Sequence, residues 1–177
     1  MLQLYKSLIR SKLEFSCPLW NPEKVSDIAK LESVQRSFTS KITSVSHLDY
    51  WDRLKSLGLM SLQRWRERYD LQYMWKILNG SVPDDLGIIF KFNSRSGIKA
   101  AVPSINRASS AASINLFESS FHVRGCNLWN KLPANINTAT FLAVFKAQLD
   151  NLIRPIPAMP PVAGYPTATS NFLVAHL

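Results

Sequence analysis

The apolar positions of this chain recur mostly at intervals of three and four, the spacing that lines one face of an α-helix. From Leu2 to Phe15 the stripe is Leu2, Tyr5, Ile9 and Leu13, and Pro18 is placed to stop that helix. Cys17-Pro18-Leu19-Trp20-Asn21-Pro22 then forms a rigid apolar corner, with Asn21 set to cap the next helix and Pro22 suited to its first turn. The strongest period follows: Val25, Ile28, Leu31, Val34, Phe38, Ile42 and Val45, with Lys24, Asp27, Lys30, Glu32, Arg36 and Lys41 off the stripe. Ser46 is a candidate cap for a short helix through Tyr50, Trp51, Leu54 and Leu57, closed by Gly58. Ser61 opens a longer one that Asn79-Gly80 ends, carrying one stripe of Leu62, Trp65, Tyr69 and Tyr73 and a second of Leu71, Met74, Trp75 and Leu78.

Periodicity fades over residues 81–113. Leu86-Gly87-Ile88-Ile89-Phe90 fits a short strand or a packed loop, and Ser104 to Ser113 is small and polar, the composition of a mobile loop. Order returns with Phe117, Phe121, Val123, Leu128, Trp129 and Leu132, up to a stop at Pro133. A last helix is predicted from about Thr140, with Phe141, Val144, Phe145, Leu149 and Leu152 inward and Asn137 or Thr138 available as its cap. Beyond Arg154 the chain is rich in proline and has no Lys, Arg, Asp or Glu through Leu177, which predicts disorder. The expected class is mainly α: a helical, bundle-like region over 1–80, an irregular linker over 81–114, a smaller C-terminal helical element over 115–153, and a proline-rich tail over 154–177.

Composition changes the picture at the surface. An apolar fraction of 46% is ordinary for a globular core, but 21 Lys and Arg against 12 Asp and Glu leave a net charge of +9. Such an excess favours polyanionic partners. The two cysteines, Cys17 and Cys126, are too few for a disulfide framework and too far apart for a zinc pair, so both are expected as buried thiols in a reducing compartment. Lys6, Arg10 and Lys12 interrupt any signal-peptide run, and no window approaches the ~20 apolar residues that span a bilayer. The chain is therefore expected to be intracellular, nuclear or cytoplasmic, with no membrane partner.

Candidate chemistry is sparse. His122 and Cys126 are four apart and would share one side of a helix, yet no oxyanion loop or nucleophile elbow surrounds them, and a packed thiol is the favoured reading. Asp84-Asp85 follows Val82-Pro83 in a turn, without the flanking strands or third aspartate that a two-metal polymerase site requires, so no metal or cofactor is expected. The remaining feature is a basic, aromatic stretch. Arg64, Arg66 and Arg68 alternate with Trp65 and lie beside Tyr69, and Arg64 and Arg68, four apart, are placed to clamp adjacent phosphates. Arg53 and Lys55 precede them, with Arg36 and Lys41 as lesser contributors. In the competing reading, Trp65 and Tyr69 are buried and the arginines snorkel around them, pairing Glu67 and Asp70.

Five segments, taken in order, carry a resemblance. They are Leu4-Tyr5-Lys6-Ser7-Leu8-Ile9-Arg10-Ser11-Lys12-Leu13-Glu14-Phe15 running into Cys17-Pro18-Leu19-Trp20-Asn21-Pro22; Ile28-Ala29-Lys30-Leu31-Glu32-Ser33-Val34-Gln35-Arg36; Arg53-Leu54-Lys55-Ser56-Leu57-Gly58-Leu59; Trp75-Lys76-Ile77-Leu78-Asn79-Gly80; and Leu128-Trp129-Asn130-Lys131-Leu132-Pro133 with Phe141 and Phe145-Lys146 beyond. Over residues 2–153 the chain resembles the region following the catalytic domain in reverse transcriptases of jockey-like non-LTR retrotransposons. The resemblance departs at Ser16, which separates Phe15 from Cys17 where the family sets the cysteine directly after the aromatic residue. It implies that residues 1–80 are a thumb and its continuation and that 115–153 form a C-terminal helical element. The magnesium-binding fingers and palm and the endonuclease would be missing from this chain. The function it implies is that of a non-catalytic fragment of an RNA-directed DNA polymerase from a mobile element. Its partner would be the backbone of an RNA–DNA hybrid or duplex, without sequence readout, and in the parent protein the missing polymerase domain. The alternatives are a helical protein–protein interaction module with no nucleic-acid role, or a relic with no present function.

Overall fold

The computed structural model describes residues 2–22, 24–82, 99–100 and 110–153. The fold is mainly α. The opening helix, α1, runs end to end through Leu2–Leu4, a wider π-helical stretch Tyr5–Arg10, and Ser11–Glu14. The others are α2 Cys17–Trp20, α3 Val25–Ser40, α4 Tyr50–Ser56, α5 Leu62–Leu78, α6 Ala111–Glu118, α7 Phe121–Lys131, α8 Ala134–Asn137 and α9 Leu142–Ile153. The chain divides into two compact units, the first holding residues up to Glu67 and the second beginning at Arg68, a boundary that falls within α5.

Helix ends in the first unit follow local chemistry, not always the chemistry expected. Pro18 does not stop α1. The break comes at Ser16, whose left-handed φ of 49° turns the chain, and Pro18 occupies the first turn of α2, where its missing N–H is no loss. Asn21 does not cap α3 either; the helix starts later, after Lys24, and no side chain caps it. The cap of α4 is Asp49, which accepts from the Asp52 N–H at 2.9 Å, and not Ser46, whose hydroxyl donates to the Thr43 carbonyl. Ser61 does cap α5, accepting from the Arg64 N–H at 3.2 Å.

Both glycine stops occur as expected. Gly58 and Gly80 have φ of 59° and 66° and close α4 and α5 with paired Schellman bonds. After α4 these are Leu59 N–H to Leu54 C=O at 2.8 Å and Gly58 N–H to Lys55 C=O at 3.1 Å. After α5 they are Ser81 N–H to Lys76 C=O at 2.7 Å and Gly80 N–H to Ile77 C=O at 3.0 Å.

The largest departure from the sequence pattern is on α3. Ile28 of the periodic apolar stripe is buried as expected, but the other buried positions are Glu32, Gln35 and Thr39, while Leu31 is half-buried and Val34 exposed. The buried face of α3 is polar because it is paired. Glu32 accepts from the Tyr50 hydroxyl at 2.5 Å and from the Leu62 N–H at 3.0 Å, with the Gln63 N–H at 3.4 Å. The side-chain amide of Gln35 donates to the Tyr50 oxygen and to the Met60 carbonyl at 3.2 and 3.1 Å, and its oxygen accepts from the Tyr5 hydroxyl at 2.9 Å. One hydrogen-bonded knot thus joins α1, α3, α4 and the start of α5, whose opening N–H groups need acceptors from outside the helix. Apolar packing surrounds it: Tyr5 stacks on Phe38 with ring centroids 4.4 Å apart, and Tyr50, Leu54 and Leu59 cluster with Leu2, Trp51 and Leu57.

The second unit has a more conventional core. Leu71, Met74 and Trp75 of α5 are buried, as are Phe121, Cys126, Leu128 and Trp129 of α7 and Phe145, Leu149 and Ile153 of α9. Trp129 stacks on Phe145 at 5.8 Å, and the Trp75 indole N–H donates to the Ala139 carbonyl at 2.9 Å. Asn130 brackets Ala100 with a two-way amide pair, 2.7 Å to its N–H and 2.9 Å to its carbonyl. Ser110 to Ser113, expected within a loop, instead begin α6, with the Ser110 hydroxyl as cap. Phe141 and Val144, expected inward, are exposed, and the inner face of α9 is completed by Ile153. Neither proposed cap of α9 faces it: the Asn137 amide donates to the Trp129 carbonyl and the Thr138 hydroxyl to the Ala134 carbonyl. The Leu86–Phe90 segment, the acidic pair Asp84-Asp85 and the tail after Ile153 lie outside the described residues.

Candidate nucleic-acid interface

The basic residues singled out by sequence divide into an inner and an outer set. Arg64 is 1% exposed, and its guanidinium donates to Glu67 at 2.8 Å. Burial pushes its pKa down, an effect that Glu67 opposes by charge and by hydrogen bonding. Arg66 is 0% exposed and donates through Nε to the Asn21 side-chain oxygen at 2.9 Å. Arg68 makes a two-pronged pair with Asp150, Nε at 2.5 Å and Nη2 at 2.8 Å. Arg53 is buried, donates to the Leu48 carbonyl at 2.9 Å and lies over the Tyr50 ring. Arg36 is half-buried with its guanidinium 4.8 Å from the centre of the same ring.

These five arginines therefore hold the fold in the conformation described. The guanidinium groups of Arg64 and Arg66 are enclosed, and a phosphate clamp by Arg64 and Arg68 is not on offer. The sequence placed Glu67 and Asp70 as the partners of the arginine stretch. Glu67 does pair Arg64, but Asp70 accepts from Arg124 at 2.8 Å, an arginine that local spacing could not have matched to it.

The outer set is made of lysines. Lys41 and Lys55 are exposed, Lys55 in a solvated pair with Asp52 at 3.2 Å. They are joined by exposed Lys12, Lys24 and Lys30, the last paired with Asp27 at 3.2 Å. Exposed ion pairs of this kind are weak and yield readily to a stronger anion. On α3 the outward residues are Ser26, Lys30, Ser33, Val34, Ser37 and Ser40, with Lys24 and Lys41 at its two ends. That stripe holds lysines, serines and Val34, and the carboxylate beside it is Asp27, whose half-exposed side chain pairs Lys30.

Other chemistry-bearing residues are enclosed. Cys17 and Cys126 are buried thiols in no disulfide, and burial pushes the Cys126 thiol up to about 11, which keeps it protonated near neutral pH. Among the described residues no group of three or more His, Cys, Asp or Glu is placed to hold a metal ion, and no helix is long and apolar enough to cross a membrane. Among the described residues, a buried charged group that sequence reasoning overlooked is Glu32. It reads as a solvated charge among lysines, and only the tertiary pairing with Tyr50 and α5 reveals it as buried. No protein-family model, curated protein or solved structure matches this chain.

Proposed function

We propose that this chain is a non-catalytic segment of an RNA-directed DNA polymerase of a mobile element, a reverse transcriptase of the non-LTR kind, and that it contributes backbone contacts to nucleic acid. The ordered resemblance of five segments supports the ancestry. The binding role is carried by one observation: the outer face of α3, with exposed Lys24, Lys30 and Lys41 set among serines too small to hold a phosphate backbone at a distance, and only the weak solvated pair of Lys30 with Asp27 to offset their charge. Exposed Lys55 adds to the same unit. Lysines meet phosphate as point charges, which fixes position on a duplex without reading sequence.

The test is titration of the full chain with a labelled RNA–DNA hybrid and with duplex DNA across a salt series. Binding should weaken steeply with salt, because each neutralised phosphate releases counterions. Reversing Lys24, Lys30, Lys41 and Lys55 to Glu should abolish binding and leave the helical circular dichroism unchanged. A reversal at Lys131, exposed in the second unit, should matter far less. Unaltered binding in the quadruple variant would remove the α3 stripe from consideration.

A further inference from the structure

The first unit also carries an apolar face that the lysine stripe does not explain. On α1, Leu4 and Leu8 are 62% and 60% exposed, and Phe15, two turns beyond Leu8, is 76% exposed. Leu19 of α2 is 83% exposed, and Trp20 beside it is 41% exposed, held by an indole N–H bond to the Phe15 carbonyl at 2.8 Å. That bond and the left-handed turn at Ser16 keep Phe15, Leu19 and Trp20 together at the end of α1. The exposed apolar area of the five is on the order of 500 Å², in the range of the largest patches on soluble monomers, which are often functional.

Charge and area narrow the occupant. Residues 2–22 contain Lys6, Arg10, Lys12 and a single carboxylate, Glu14, which is held by Arg10 at 2.7 Å. The face is therefore apolar with a basic rim, Lys12 being exposed and Lys6 half-buried. A second copy would set like charges opposite each other, and the two faces together would bury only about 1,000 Å², the lower edge of a specific interface. A helix that presents leucines in a stripe and carboxylates on either side of it complements both the apolar and the charged features.

We propose that the α1–α2 face docks an acidic amphipathic helix of a partner protein, through Leu4, Leu8, Phe15, Leu19 and Trp20 with Lys12 at the rim. Lys12 apart, this surface uses none of the lysines of the outer set, and it shares none with Lys24, Lys30, Lys41 and Lys55, whose reversal tests the nucleic-acid reading, so the two stand or fall separately.

The experiment is fluorescence-anisotropy titration of the full chain with a synthetic helical peptide, leucine on one face and glutamate flanking it, and with its lysine-flanked counterpart. The glutamate peptide should bind, and the lysine peptide should bind at least about tenfold more weakly. L8E, F15E and L19E should each weaken the glutamate peptide by a similar factor, while thermal stability and hybrid binding stay as in the wild type because these side chains are exposed. Equal binding of both peptides, or binding insensitive to the three substitutions, overturns the proposal. So does sedimentation showing a dimer that F15E dissolves, which makes a second copy the occupant. Co-sedimentation with anionic phosphatidylserine vesicles that F15E abolishes does so too, and makes a lipid surface the occupant.

Discussion

A carboxylate with 1% of its residue surface exposed has to be justified by its partners, and Glu32 is. Desolvation raises its pKa above the ordinary 4.5, while the Tyr50 hydroxyl, the Leu62 and Gln63 N–H groups and the nearby charge of Arg66 pull the other way. Burial also raises the pKa values of Tyr5 and Tyr50, whose hydroxyls stay protonated as donors beside Glu32. Because the folded-state pKa of Glu32 is raised, its linked stability is fully present below about 4.5 and is lost as pH rises through the folded value. Urea midpoints of wild type relative to E32Q should therefore be highest in acid and fall as pH increases above the ordinary glutamate range. A difference that is flat with pH, or that climbs, would show that Glu32 does not titrate as an enclosed acid. The same residue shows how sequence reading goes astray. A Glu between Lys30 and Arg36 has the spacing of a solvated face, and partners 18 to 31 positions later, Tyr50 and the Leu62 and Gln63 N–H groups, make it a core residue.

At the scale of elements, the helices themselves were legible because periodicity and glycine stops are local. Gly58 and Gly80 end α4 and α5 where the pattern places them, and Ser61 opens α5. Caps chosen among several nearby hydroxyl and amide residues were not legible, since local spacing admits each one. Ser46 and Asp49 are such rivals, and D49A should cost about 1 kcal/mol of stability with S46A close to neutral, measured by thermal melts. A reversed order would restore Ser46 as the cap. Packing between helices is the other illegible layer. Gly125 of α7 has no turn to explain it; a Cβ built there meets Met74 Cγ and Sδ at 2.9 Å and the Phe121 ring at 3.1 Å. Its role is close approach of α7 to α5. G125A should destabilise by about 1–3 kcal/mol through overpacking, less than a rigid neighbour would impose because Met74 is adaptable. In a double-mutant cycle with M74A the penalties should be strongly non-additive; simple additivity would mean that Met74 is not what the added methyl strikes.

At the scale of the whole molecule, the basic excess was legible in the sequence, but which basic side chains stay outside was not. Arginine beside tryptophan on one helix resembles a nucleic-acid grip, but the same chemistry serves enclosed pairing, and Arg64 and Arg68 find Glu67 and Asp150. Planar guanidinium groups suit fixed, partly dry pairs; lysines, more strongly hydrated, stay outside. Among the described residues the exposed positive charge is thus lysine, and repulsion within the net charge of +9 opposes the compact state. A polyanion that binds only the folded chain relieves that repulsion and adds its binding free energy, about 2.7 kcal/mol at a hundredfold excess over Kd. The melting temperature should accordingly rise by several degrees when the hybrid is added at low salt. Molar salt should erase that increment by screening. The quadruple lysine-to-glutamate variant, whose net charge falls from +9 to +1 as four reversals each remove two, should show no rise at either ionic strength. If the hybrid stabilises this variant as well as the wild type, the anion is held elsewhere than on the α3 stripe. If it stabilises neither, while direct titration detects binding, then the folded and unfolded chains bind it alike and the contact is mere polycation condensation.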